Sequence, residues 1–490
     1  MRSRPHPRTE TAAPPRVGIL SLLRPAPLAF IAFFFSYALQ VLFHSELLGL
    51  LPFLLFFPGI VLYVLRILGP KRSSRSGTRA PDLAVGLLAL FVIGHLIVGI
   101  SVGGYTFPEA VRLFLIYVGT AWAYLYASRI AREHDLRVVT LAIAVAGTIF
   151  AVYWMHETYT KMIRKEIPTF QLMSFEYKKM RNDMTNEEMN TSTLGTQYRA
   201  NGLSGTYTTT GALVAISGFA ALSLLGRGTT RRRVLILSVF FVVLAVGLAA
   251  TALVTYLILC PIVLWLAARE EKWLQSVLRM MSYAAVAFGL IFMATLYTHP
   301  GRELIRNSTD MLRKQISVVR NTNSSYYGIP SLYESYQRAF YYYGLFAREK
   351  PIGLFVGEGP LGYGEVTFGR GGDFGMLDLA ALCGIPFSIF FLGICMIMLI
   401  RAAETCRRGS LREDRALHVV FGFAVVAFGL ISLLHYGVLL NKEVIVLFYF
   451  ALGLLRRYTY APLTQQVRAV HVAATAPGAP SSVLAHAPTS

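Results

Sequence analysis

Apolar runs of roughly 20 residues recur along the chain, separated by short polar segments. That pattern limits the fold more than any motif does. A backbone inside a bilayer has to satisfy its own N–H and C=O groups, which leaves helices and closed barrels. The runs are continuous, not alternating, and this excludes a β-barrel. The expected fold is an all-α polytopic membrane protein with about 12 transmembrane helices. Composition agrees. Of 490 residues 55% are hydrophobic and only 15% charged, too few charges for a soluble enzyme of two or three domains. The formal net charge of +20 fits Lys and Arg gathered in cytoplasmic loops, so no nucleic-acid partner is expected.

Residues 1–24 are polar and rich in Arg and Pro, and read as a disordered cytoplasmic N-terminus. The first apolar run follows without a small-residue cleavage site and reads as an uncleaved span. Residues 25–457 are expected to form the transmembrane domain, with spans at 25–43, 47–67, 83–102, 108–127, 137–155 and 206–226. Two more share 234–267 around a tight turn near Ala249–Thr251, and the last four lie at 279–298, 374–400, 415–436 and 440–455. Basic stretches such as GPKRSSRSGTR, GRGTTRRR and RAAETCRRGSLRED alternate with uncharged turns, placing both termini in the cytoplasm. Residues 458–490, rich in Ala, Pro and Ser towards the end, read as a disordered cytoplasmic tail. Cys260, Cys383, Cys395 and Cys406 lie in or beside spans without a CxxC pair and read as small apolar fillers, with no metal or disulfide role.

Two polar segments, 156–204 and 299–372, fall on the outer face and are long for connections between spans. Both are rich in Lys and Arg. Long segments translocate whatever their charge, so the charge fits either a bland loop or an anionic substrate. Arg199 stands just before the span at 206–226, in YRANGLSGTYTTTG. Arg338 stands in SLYESYQRAFYYYGLFAREK, read as an amphipathic helix with Glu334 four residues before it. A guanidinium at the membrane edge binds phosphate through its planar fork, or it snorkels or pairs with a neighbour. Tyr336 and Tyr341 to Tyr343 suit an interfacial belt or a stacking surface for sugars. Asp373 and Asp378 open the span at 374–400. A carboxylate there either caps the helix or takes a proton from an attacking hydroxyl. His95, in the span at 83–102, reads as a hydrogen-bonded residue and not a ligand.

YRANGLSGTYTTTGALVA resembles the Arg-x-x-Gly stretch of the O-antigen ligase/polymerase superfamily. The run from Tyr336-Gln337-Arg338 through Lys350-Pro351-Ile352-Gly353 to Gly357-Glu358-Gly359-Pro360, followed by DFGMLDLAALCGIP, resembles that superfamily's arginine, aromatic and glycine signature. The resemblance covers 199–211 and 331–386. It implies a multi-pass protein of the bacterial inner membrane, with a glycosyltransferase site facing the periplasm. The donor and acceptor would be oligosaccharides on polyprenyl pyrophosphate, with a flippase and a chain-length regulator as candidate partners. No cofactor and no metal are expected. Arg199 and Arg338 would stabilise the leaving pyrophosphate, and Asp373 or Asp378 would act as base. Tyr198, Tyr336, Tyr342, Arg348, Gly357, Gly359 and Arg370 would contact substrate. Ligases of the superfamily carry a His where Asp373 stands, and no His lies in 331–386. The expected activity is therefore polymerisation of lipid-linked repeat units into O-antigen or exopolysaccharide. The alternatives are a ligase that moves glycan to lipid A core or another acceptor, and a non-enzymatic flippase or transporter drawing on His95, Glu109, Arg112 and His435.

Overall fold

A computed structural model describes residues 19–56, 80–102, 104, 106–164, 166–180, 200–225, 230–247, 249–268, 275, 278–279, 282–283, 285–286, 289, 341, 344, 347–348, 351–359, 375–408, 411–434 and 441–460. Among these residues the secondary structure is helical, with no strand. In chain order the helices are α1 (Pro25–Leu42), α2 (Glu46–Phe56), α3 (Ala80–Ser101), α4 (Phe107–Ile130), α5 (Glu133–Tyr159) and α6 (Thr169–Met180). They continue with α7 (Tyr207–Leu224), α8 (Thr230–Val246), α9 (Ala250–Ala268) and α10 (Pro351–Val356). The last four are α11 (Gly375–Cys383), α12 (Ile385–Arg407), α13 (Glu413–Ser432) and α14 (Lys442–Thr459). Seven of the described helices are long and apolar enough to cross a membrane, so the chain is a helical membrane protein. The tight turn expected near Ala249–Thr251 falls between α8, which ends at Val246, and α9, which begins at Ala250.

The helices pack against one another as a bundle. Burial separates centre from rim: 83% of the apolar stretch of α13 is enclosed by the protein, against 28% of that of α3. Nearly every residue of α14 is buried, and α13, α7 and the C-terminal half of α4 pack around it. Lipid tails are as apolar as leucine, so helices in a bilayer associate through close packing and interhelical hydrogen bonds. Both are visible where α5 crosses α7. Gly147 meets Ser217, whose hydroxyl donates to the Leu213 and Ile143 carbonyls at 2.7 and 3.2 Å. The helix α4 contains two π-turns, Leu115–Gly119 and Tyr126–Ile130.

Charge separates the two ends. One end is basic, with Arg24 on Asp135, Arg415 on Glu133, and Arg233 donating to the Ala267 carbonyl. Here the Asp82 carboxylate stands in the first turn of α3 with 8% of its side chain exposed. Arg456 of α14 donates to both its oxygens, Nε to Oδ1 at 3.1 Å and Nη2 to Oδ2 at 2.9 Å. Tyr124 Oη and Arg129 Nη2, both of α4, add bonds of 2.6 and 3.0 Å. One carboxylate thus joins three helices, and in a low-dielectric bundle a charge is tolerated only when paired in this way.

The apolar run at 374–400, expected to form one span, is two helices. Gly384 breaks it at φ +79° and ψ 158°, a conformation open in practice only to glycine. The reason is a close backbone approach. The helix α10 and the residues after it lie against the break, and a Cβ on Gly384 would overlap the Phe355 carbonyl. Gly384→Ala should therefore lower stability by about 1–3 kcal/mol, read as a lower unfolding temperature of the protein in detergent. Gly393→Ala is the matched control and should be neutral, because a Cβ there meets no heavy atom within 4 Å. Asp82→Ala strands the buried Arg456 guanidinium and should cost about 3–5 kcal/mol. The double variant Asp82→Ala/Arg456→Met should recover part of that loss in the same measurement.

Candidate functional site

The end opposite the basic one holds the described parts of the two stretches that carry the resemblance, residues 200–211 and residues 351–359 with 375–386. The first begins for description at Ala200, directly after Arg199. Its carbonyl accepts from the buried Trp154 indole at 2.9 Å. Two residues on, the Gly202 N–H donates to Glu157 Oε2 at 2.7 Å, and Thr210 Oγ1 donates to the Asn201 carbonyl at 2.8 Å. Gly202 has φ +68°, and a Cβ there would lie 2.5 Å from Thr210 Oγ1. Ser204 bonds Thr210 Oγ1 at 2.7 Å, and Thr206 caps α7 by accepting from the Thr209 N–H. The segment 200–206 is therefore a fixed loop, clamped between the ends of α5 and α7.

The second stretch is α10 with Gly357–Gly359, laid against α11 and the Gly384 break. The Glu358 N–H donates to the Ala381 carbonyl at 2.8 Å. Gly357 has φ +77°, and a Cβ there would sit 2.6 Å from the Leu382 carbonyl oxygen. On the other side stands His95 of α3, half-buried, with Nε2 at 3.3 Å from the Gly357 carbonyl and Nδ1 at 3.1 Å from the Phe91 carbonyl. Its ring edge also abuts Gly359. His95 is thus a hydrogen-bonded packing residue that receives the glycine stretch.

The two stretches share a neighbour. The Met376 N–H at the start of α11 donates to the Leu433 carbonyl at the end of α13, 3.0 Å away. Asn441, before α14, donates from Nδ2 to Thr209 Oγ1 of α7 at 2.7 Å. Each stretch is bonded to one side of the α13–α14 connection. Three buried carboxylates lie at this end: Glu157 of α5 at 0% exposure, Asp378 of α11 at 4% and Glu443 of α14 at 6%. Ser36 Oγ of α1 donates to Glu443 Oε1 at 3.0 Å, and Lys442 Nζ lies 3.7 Å from the same oxygen. Lys161, in the π-turn after α5, is itself buried, which pulls its ammonium down to about 8 while the Glu157 carboxylate acts in the opposite direction.

Of the residues expected at the site, Asp378 is buried in α11, Gly357 and Gly359 hold left-handed conformations, and Arg348 is an exposed helical residue. Arg199, Arg338, Asp373, Tyr198, Tyr336, Tyr342 and Arg370 lie outside the described residues. Glu443 and Glu157 escaped the sequence reading. Each sits in the terminal turn of an apolar run, where a carboxylate looks like a boundary marker. The polar residues read in the span at 108–127 have local roles: Glu109 closes a capping box with Thr106, and Arg112 faces Glu46 at 3.9 Å. His435 lies outside the described residues. The four cysteines are buried and in no disulfide.

No protein-family model matches the chain, and no curated protein matches it in sequence.

The Lys161 environment gives a pH test. Its folded-state pKa of about 8 lies below the ordinary 10.5. Between those values the unfolded chain binds the extra proton, so this group's contribution to stability rises as pH increases through the window. Lys161→Met should remove that rise, seen as a flatter dependence of unfolding temperature on pH relative to wild type.

Proposed function

We propose that the protein is a glycosyltransferase of the outer membrane face that polymerises lipid-linked oligosaccharides. In this reading about twelve spans cross the inner membrane. The basic end lies in the cytoplasm and the end bearing Glu157, Asp378 and Glu443 faces the periplasm. The observation that supports the proposal is that the segment 200–211 and residues 357–359 with 375–384 lie at one end of the bundle, Thr209 bonded to Asn441 before α14 and Met376 to Leu433 at the end of α13. Arg199 directly precedes the described loop at 200–206, and Arg338 lies outside the described residues, N-terminal to α10.

The chemistry follows from the residue types. A sugar hydroxyl at the non-reducing end of the acceptor attacks the anomeric carbon of the donor glycan. The bond from that carbon to the pyrophosphate oxygen breaks as the new glycosidic bond forms. The hydroxyl proton passes to a carboxylate, Asp373 or Asp378. Arg199 and Arg338 neutralise the charge that develops on the departing polyprenyl pyrophosphate. The lack of His in 331–386 favours polymerase over ligase. The cap and ion-pair roles of Glu109 and Arg112 weigh against a transport pathway that would draw on them.

Deletion of the gene should abolish long polymer chains, and wild-type protein should restore them. Arg338→Ala, expressed to the same level in the membrane, should restore none. Long chains made by that variant would refute its role. A deletion strain that makes full-length polymer and leaves it on the lipid carrier would identify a ligase instead.

A further inference from the structure

A histidine in a membrane-spanning helix is costly and calls for a reason. His95 stands in the second half of α3, a helix at the rim of the bundle whose apolar stretch is only 28% enclosed. Its ring is nevertheless held in one place. Phe91, one turn earlier, packs on it with centroids 4.3 Å apart, and Phe91 in turn stacks on Phe387 of α12 at 6.3 Å and 13°. Nδ1 lies 3.1 Å from the Phe91 carbonyl and Nε2 lies 3.3 Å from the Gly357 carbonyl. A carbonyl accepts and never donates, so a bond at either nitrogen uses the ring as donor. The imidazole is thus aimed at backbone, which separates a positioning role from a role as acid or base.

The backbone opposite is shaped to this ring. Gly357 and Gly359 are buried and lie at φ +77° and +69°, with the half-buried Glu358 between them. A Cβ on Gly359 would lie 2.6 Å from His95 Cδ2, and one on Gly357 would lie 2.6 Å from the Leu382 carbonyl oxygen. The Glu358 N–H donates to the Ala381 carbonyl at 2.8 Å. The turn is therefore gripped between α11 on one side and His95 on the other. Glycines have many backbone conformations open to them, and a left-handed one persists when the surroundings impose it. On the side towards α3, His95 does the imposing.

We propose that His95 is a positioning residue, which fixes the Gly357–Gly359 turn in the form that meets the lipid-linked glycan. The substrate half of this proposal rests on the glycosyltransferase reading, and the fixing of the turn rests on the contacts of the ring. His95 acts through the turn and takes no proton from the substrate. Its loss should weaken substrate binding more than the chemical step.

Two measurements on the full-length protein in detergent separate the halves. Amide hydrogen exchange reads the turn with no substrate present. His95→Leu keeps α3 apolar and removes the ring's bonds. Exchange at Gly357 and Glu358 should become about tenfold faster, the size expected of one lost hydrogen bond, while exchange in α7 and α13 stays as in wild type. His95→Gln, whose amide can still donate to the Gly357 carbonyl, should return most of the protection. Elongation of a defined polyprenyl-pyrophosphate oligosaccharide reads the consequence. In His95→Leu, KM should rise about fivefold with kcat within about twofold of wild type, and His95→Gln should restore KM. Wild-type exchange at the turn in His95→Leu would overturn the proposal, as would faster exchange throughout the protein, or a wild-type KM beside a loosened turn. Phe91→Ala, which leaves the imidazole and removes the ring that steadies it, gives the same comparison if the leucine variant does not fold. A wild-type protein that elongates nothing would refute the glycosyltransferase reading and with it the substrate half, while exchange at the turn would still decide whether His95 fixes it.

Discussion

Close backbone contact at Gly384 is the constraint on which the architecture of the end opposite the basic one rests. In a bilayer, irregular backbone survives only where the protein itself satisfies the freed polar groups. Around the break they are satisfied locally: the Gly384 N–H returns to the Ala380 carbonyl, the Glu358 N–H takes the Ala381 carbonyl, and the Gly357 carbonyl faces His95. No side chain fits between the two segments, because the Phe355 and Leu382 carbonyls occupy the space where Cβ atoms would begin. The glycines therefore serve packing first. They let α10 lie on α11 without a gap, and this fixes the start of α11 and Asp378 within it.

The two ends of the bundle use buried charge differently. At the basic end Asp82 is fully paired, by two arginines and a tyrosine from two other helices. It ties α3, α4 and α14 together. At the opposite end the buried carboxylates among the described residues are spread over separate helices, α5, α11 and α14. Glu157 spends one oxygen on the Gly202 N–H, and Oε1 stays buried without a hydrogen-bond partner. Such groups are costly in a membrane protein and are expected where polar chemistry takes place. Clamping of the loop after Arg199 by Glu157 and Trp154 gives that loop the rigidity that a charge-stabilising site requires.

Much of this was legible in the sequence, for physical reasons. Apolar runs report helices because the bilayer leaves few other options, and the tight turn between α8 and α9 could be placed by length alone. Gly357 and Gly359, expected as substrate contacts, have positive φ, as does Gly202. The break at Gly384 was hidden because hydropathy is continuous across it. Only the approach of a distant segment, some 30 residues earlier in the chain, makes the glycine conformation necessary. Glu443 was missed because its partner Ser36 is 407 residues away. The ring formed around Asp82 likewise joins Tyr124 and Arg456, a pairing no local pattern reveals.

The central claim is that this end of the bundle transfers glycan between lipid carriers. The most direct measurement incubates the purified protein with a defined polyprenyl-pyrophosphate oligosaccharide and resolves the lipid-linked products by length. The account predicts a ladder of longer glycans still attached to carrier, with one free polyprenyl pyrophosphate released for each new glycosidic bond. Unchanged starting material, or release of carrier without elongation, would contradict it.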